Sequence, residues 1–137
     1  MAGILIIEDD VHVRGAVARA LAGRGHDVIT EATGMAGLEA SIASDVDVVI
    51  LDLGLPDVDG AEVLKMIRAV REIPIIVATA RDDEREVVKL LDSGADDYVI
   101  KPFSAELLEA RIRAVLRRGD RTDDPVQYAA GGLTVDL

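Results

Sequence analysis

The 137-residue chain has no cysteine and no tryptophan, and its only rings of any size come from two tyrosines and one phenylalanine. Without cysteine there can be no disulfide and no thiolate metal ligand, a composition compatible with a reducing compartment. With so few rings, a core has to be assembled from Val, Ile, Leu and Ala. Basic residues are also scarce: 15 against 26 acidic ones, for a net charge of -11 and a pI near 4.5. Most of such a surface repels phosphate backbones, so a general nucleic-acid surface is not indicated. No apolar run approaches the roughly 18 residues of a membrane span, and strand-like sequence follows Met1 at once, so neither an anchor nor a signal peptide is expected. Half of the residues are hydrophobic, which suffices for one domain with a real core and not for two complete ones.

What the chain does have is a series of short apolar runs that stop at polar residues. Ile4-Leu5-Ile6-Ile7 meets Glu8-Asp9-Asp10; Val48 to Leu51 meets Asp52, with Gly54 and Pro56 just beyond; Ile73 to Ala78 meets Thr79; and a strand expected from Ala95 ends in Tyr98-Val99-Ile100 at Lys101. Short apolar runs bounded by turn residues suit strands buried on both faces. A fifth, more polar run, His26 to Glu31, suits an edge. Helical stretches separate them. Asp10 can cap a helix with Val13, Ala16, Val17, Ala20 and Leu21 at helical spacing, and Thr33 one reaching Ala43 with Leu38 and Ile42 inward. Asp59-Gly60-Ala61-Glu62 has capping-box spacing and opens a helix to Val70. A fourth helix starts at Arg81-Asp82-Asp83-Glu84 and stops at Ser93-Gly94. Ser104 caps the last, whose second half carries Arg111, Arg113, Arg117 and Arg118. Strands alternating with helices of this length predict an α/β fold: a doubly wound parallel sheet covered on both faces. Residues 1–118 form that domain. Gly119 to Gln127 reads as a polar linker, and Tyr128 to Leu137 as the opening of a second domain.

In open α/β sheets, ligand crevices lie at the carboxyl ends of the strands. Parallel neighbouring strands would gather Glu8, Asp9, Asp52, Thr79 and Lys101 on one rim. Carboxylates about 4 Å apart repel by on the order of 4 kcal/mol per pair at an effective dielectric near 20. Lys101 offsets part of this, and a hard divalent ion with oxygen ligands, Mg²⁺ in particular, suits the remainder. An ionised Asp beside such an ion can attack phosphorus and form an acyl phosphate, with Lys101 and Thr79 as donors to the phosphoryl oxygens. His12 and His26 stand apart from other ligand types and read as surface or structural residues. A phosphohydrolase of the haloacid-dehalogenase type would use the same nucleophile but wants a second Asp two residues on, where this chain has Gly54. A dinucleotide site would want G-x-G-x-x-G after the first strand, and acidic residues stand there instead. An interaction module that no longer accepts phosphate is a third alternative.

The segments ILIIEDD (Ile4–Asp10), LDLGLPDVDG (Leu51–Gly60), Thr79-Ala80-Arg81 and GADDYVIKPF (Gly94–Phe103) resemble, in order and spacing, those of two-component response regulators. The GADDY…KPF form, the basic last helix and the strand-like tail are similar to the OmpR/PhoB subfamily, whose regulators carry a winged-helix DNA-binding domain. The resemblance implies a flavodoxin-like receiver with five helices and sheet order 2-1-3-4-5. It implies a cytoplasmic signalling domain rather than an enzyme, with self-catalysed phosphotransfer and slow autodephosphorylation. On the matching positions, Asp52 would accept a phosphoryl group from a sensor histidine kinase. Asp9, Asp52 and the Gly54 backbone carbonyl would bind Mg²⁺, with Glu8 acting through water. Thr79 and Lys101 would hold the phosphoryl oxygens, and Tyr98 would be an aromatic switch that follows Thr79. Phosphorylation would favour a homodimer through the fourth helix, fifth strand and fifth helix. Its ion-pair candidates are Asp92, Asp96, Asp97, Arg111 and Arg113, and its apolar centre is Val88, Leu91 and Ala110. Val87 and Leu107 stand where many relatives pair a basic with an acidic residue, so an apolar contact is expected in place of that bridge. Promoter DNA would be bound only through the missing carboxy-terminal domain, and no membrane partner is implied.

Overall fold

The computed structural model describes residues 2–80 and 84–122. In chain order these form β1 (Gly3–Ile7), α1 (Val11–Ala22), β2 (Asp27–Glu31), α2 (Gly34–Ala43) and β3 (Val48–Asp52). There follow α3 (Gly60–Val70), β4 (Ile75–Thr79), α4 (Glu84–Asp92), β5 (Asp97–Ile100) and α5 (Ala105–Thr122). All five strands are parallel, in the order β2-β1-β3-β4-β5, as the alternation predicts. Successive strand residues face opposite sides of the sheet, and this splits the aliphatic core in two. Leu5, Ile7, Val49, Leu51, Ile75 and Val77 pack with Val63, Leu64 and Ile67 of α3 and Leu90 of α4. Ile4, Ile6, Val48, Ile50, Ile76 and Val99 pack with Leu21 of α1 and Leu108, Ile112 and Val115 of α5. The polar strand β2 is at an edge, half-buried to exposed along its length.

The predicted caps form: Asp10 accepts from His12 and Val13, Thr33 from Ala36, Asp59 from Ala61 and Ser104 from Leu107. The box at Asp59 takes a different form, because the Glu62 carboxylate lies 3.6 Å from Lys65 on the exposed face. Ile42 does not face inward; it is 53% exposed. The buried stripe of α2 is Gly34, Gly37 and Ser41, where small residues let the helix sit so close that a Cβ on Gly37 would collide with Ile7. Arg71 then closes the helix end by donating to Ser41 and Ser44 carbonyls.

Two strands start later than the sequence predicts, β4 later than Ile73 and β5 later than Ala95. Pro74 has no N–H to enter a ladder, so β4 begins at Ile75 although Ile73 is buried. The Ala95 N–H is spent on Leu90 O at the end of α4, so β5 begins at Asp97. The edge strand likewise begins at Asp27 rather than His26. His26 Nδ1 accepts the Ala2 N–H at 3.1 Å, which leaves Nε2 to carry the proton and donate to Glu109 Oε1 at 2.8 Å. It thereby pins the amino-terminal edge to α5 in a structural role. The last helix continues through Thr122, across the first residues expected in a linker. Residues 81–83 at the expected start of the fourth helix, the rest of the linker and the 128–137 segment lie outside the described residues.

Candidate functional site

Register decides which side chains meet. Ile7 lies opposite Leu51, Asp52 opposite Ala78, and Thr79 opposite Ile100, so the residues that follow β1 and β5 flank Asp52 and Thr79 at one end of the sheet. Glu8, Asp52 and Thr79 are buried there and Asp9 is exposed. They line an open cleft of about 450 Å³ together with Gly54 and Lys101. The Lys101 ammonium donates to Glu8 Oε1 at 2.8 Å and to Asp52 Oδ1 at 2.9 Å, and its backbone N–H donates to Thr79 O at 2.8 Å, tying β5 to β4.

Glu8, Asp9 and Asp52 each offer a carboxylate oxygen, and these oxygens lie within 4.8 Å of one another. Burial pushes the Glu8 carboxyl above its ordinary range, with the Asp52 charge adding to it; bonds from Lys101 and the Asp10 N–H offset only part. For Lys101, burial disfavours the charge, but the hydrogen bonds to Glu8 and Asp52 outweigh it and hold the ammonium above the usual lysine range. Such a donor set, all carboxylate oxygen with one ammonium against three acids, suits a hard divalent cation. Both Glu8 oxygens are already engaged, Oε1 by Lys101 and Oε2 by the Asp10 N–H. Asp9 and Asp52 are therefore the better placed of the three for direct ligation.

The structure brings the five rim residues together with Gly54, as the strand ends predict. Tyr98 is half-buried on β5 and packs against the core cluster beneath α3 and α4. On the face formed by α4, β5 and α5, Val88, Leu91 and Leu107 are 51, 42 and 40% exposed. Ala110 and Asp92 are exposed and Val87 is half-buried. Four charged residues of that face, Asp96, Asp97, Arg111 and Arg113, have partners within the chain. Asp97 lies 3.5 Å from Arg111 and 3.8 Å from Arg118, Arg113 lies 3.5 Å from Glu109, and Asp96 lies 2.8 Å from Arg68.

Two positions escaped the sequence reading. Arg14, one turn into α1, donates to the carbonyls of Glu8 and Asp9 at 3.0 and 3.3 Å, clamping the loop that presents both acids; its place four residues beyond Asp10 was the available signal. Arg68 on α3 donates to Ile73 O and Gly94 O as well as to Asp96. No local pattern announces that, because its partners lie on turns brought close only by the fold.

A family model described as the response regulator receiver domain matches residues 4–113. The chain belongs to that family. The receiver is 46% identical over 137 residues to the transcriptional regulatory protein AfsQ1 of Streptomyces coelicolor, covering 99% of this chain and 60% of that protein. It is 43% identical to the transcriptional regulatory protein KdpE of Mycobacterium tuberculosis, covering 98% of this chain and again 60% of the relative. The chain thus spans about 60% of the length of these regulators. Among solved structures, the BeF3-activated DrrB receiver domain superposes with a TM-score of 0.78 at 37% identity, covering 86% of this chain and 99% of that one. A CheY-like receiver domain protein from Methanospirillum hungatei superposes at 0.84 and 27% identity, over 89% and 98% of the two chains. No helix among the described residues of the receiver is long and apolar enough to cross a membrane.

Proposed function

We propose that this receiver accepts a phosphoryl group on Asp52 from a phosphohistidine of a sensor histidine kinase, and that the modified state controls transcription in the intact regulator. The observation that carries the reading is the Lys101 ammonium, shared between Asp52 and Glu8 in a cleft that Thr79 and Asp9 also line. The Asp52 carboxylate attacks phosphorus, the phosphorus–nitrogen bond to the donor breaks, and the imidazole leaves with a proton. Lys101 and Thr79 supply donors for the phosphoryl oxygens. Asp9, Asp52 and the Gly54 carbonyl would hold Mg²⁺, with Glu8 behind them through water; when bound, the ion supplies positive charge for the transferring group. Tyr98 turns inward as Thr79 moves toward the phosphoryl group. The same site hydrolyses the acyl phosphate slowly.

Phosphorylation favours a homodimer through α4, β5 and α5, where Val87, Val88, Leu91, Leu107 and Ala110 form an apolar strip edged by Asp92, Asp96, Asp97, Arg111 and Arg113. Similarity to AfsQ1 runs over 137 residues, beyond residue 113 where the receiver match ends. This supports reading 1–118 as the receiver, 119–127 as its linker and 128–137 as the opening of a winged-helix domain that binds promoter DNA in a cytoplasmic regulator. Incubation with Mg²⁺ and acetyl phosphate followed by intact mass is the test. A single acid-stable, base-labile phosphoryl adduct, absent in Asp52→Asn, is expected; rapid multiple turnover without an adduct overturns the reading in favour of a hydrolase.

A further inference from the structure

The loop joining β3 to α3, residues 53–59, supplies Leu53 and Gly54 to the wall of the cleft, while Asp57 lies outside it among the described lining residues. Asp57 reaches the other way. Its Oδ1 accepts the Gly34 N–H at 2.8 Å and its Oδ2 the Met35 N–H at 3.0 Å. These are the first amides of α2, which carbonyls of the same helix cannot reach, and Thr33 takes the Ala36 N–H beside them. Both bonds are charge-assisted and sit at the positive end of a helix. The two amides hold the Asp57 carboxyl below its ordinary range. The fit around the tie is close. A Cβ on Gly34 would stand 2.8 Å from Val63 Cγ2, 3.3 Å from Asp57 Oδ1 and 3.4 Å from Leu55 Cδ1, so the loop rests directly on the helix start.

We infer that Asp57 is a positioning residue for the phosphoacceptor site: by fastening the β3–α3 loop to the start of α2, it fixes Gly54 in the cleft wall and so sets the affinity for a divalent cation. The inference rests on the assignment of Asp9, Asp52 and Gly54 as the cation-holding set. An outer partner that orients a ligand commonly changes metal affinity by about 10–100-fold when removed. Asp57 acts on Gly54 through two intervening residues, Leu55 and Pro56, so a change at the lower end is expected.

The test is a Mg²⁺ titration of the wild-type chain, Asp57→Ala and Asp57→Asn without phosphodonor, followed by amide chemical shifts at residues 52–54. Asp57→Ala should need on the order of tenfold more Mg²⁺ for half-saturation, and Asp57→Asn, which keeps one acceptor oxygen, should fall between. Hydrogen exchange at Gly34 and Met35 should accelerate in Asp57→Ala. Labelling by acetyl phosphate should slow at limiting Mg²⁺ and recover when Mg²⁺ saturates. A tie that serves only the fold would lower the urea midpoint and speed exchange while leaving the Mg²⁺ midpoint at the wild-type value, and that result overturns the inference. If Asp57→Ala does not fold, Asp57→Asn decides on the same midpoint. A wild-type chain that binds no Mg²⁺ at residues 52–54 removes the site assignment itself, whereas wild-type binding with unchanged variants removes only the role of Asp57.

Discussion

Asp9→Asn should stabilise this protein in the absence of divalent cations and destabilise it, relative to wild type, in their presence. Asp9 faces Glu8 and Asp52 with carboxylate oxygens within 4.8 Å, while the Lys101 ammonium bonds the other two acids. At 4.8 Å two unit charges repel by about 0.9 kcal/mol at the dielectric of water and about 3.5 kcal/mol at an effective dielectric of 20. Asp9 is exposed, so the lower figure governs, and its two pairs sum to about 1–2 kcal/mol. Urea unfolding followed by far-UV circular dichroism, in EDTA and low salt, should show that gain. In about 1 M salt, where the screening length falls to about 3 Å, it should nearly vanish. With Mg²⁺ a hundredfold above its dissociation constant, the wild type should gain about 2.7 kcal/mol. Asp9→Asn should gain little, so the order of stabilities inverts. A variant less stable than wild type in EDTA, or a gain indifferent to salt, would refute the claim that these acids repel across the cleft.

Acidification should act in two opposed steps in EDTA. Glu8 is raised by burial above 4.5, so the folded state binds its proton more tightly. Stability should rise as pH falls through that raised value, levelling off below 4.5, and Glu8→Gln should abolish the rise. Asp57 and Asp10 are lowered below 3.8 by backbone N–H groups. Their contributions are fully present above 3.8 and lost as pH falls through the lowered values, a loss that Asp57→Asn should blunt in acid titrations. Gly54→Met should lengthen the life of the acyl phosphate several-fold. A Cβ at position 54 would stand 3.8 Å from Asp52 Oδ2 with no other described residue beyond its chain neighbours within 4 Å, so a side chain can cover the acceptor oxygen against water, and decay of the adduct by mass measures it. Leu107→Glu should weaken the phosphorylated dimer in sedimentation while leaving Asp52 labelling unchanged.

The sheet and the rim were legible because both are written locally. A strand covered by helices on both faces needs an unbroken aliphatic run, and the residue that ends each run lands at the same end of a parallel sheet. The positions of Glu8, Asp52, Thr79 and Lys101 therefore followed from chain order alone. What was not legible depends on partners distant in sequence. The inward face of α2 is set by how closely Gly34 and Gly37 approach the sheet, a contact that hydrophobic periodicity does not weigh. The start of β5 is set by an amide already used in the turn before it. Arg68 and Asp57 look like ordinary surface charges until the fold places the turn at Gly94 beside one and the start of α2 beside the other.

The face made by α4, β5 and α5 shows what such in-chain pairing implies for a dimer. Asp97 already has Arg111 and Arg118 at 3.5 and 3.8 Å, so a partner's arginine adds only the difference between two partly exposed ion pairs, each worth roughly 0–1 kcal/mol. Asp96 gains less still. It accepts both Arg68 Nη2 and the Ile75 N–H at 2.8 Å, and repartnering it would unfasten the junction of β4 and β5. Charges on this face can therefore set register and reject wrong partners, but affinity must come from Val88, Leu91 and Leu107, which stand about half exposed with no charge among them. A phosphorylated dimer held in this way should have a dissociation constant that changes little between low and high salt. A steep rise with salt in sedimentation equilibrium would return the dominant role to the ion pairs.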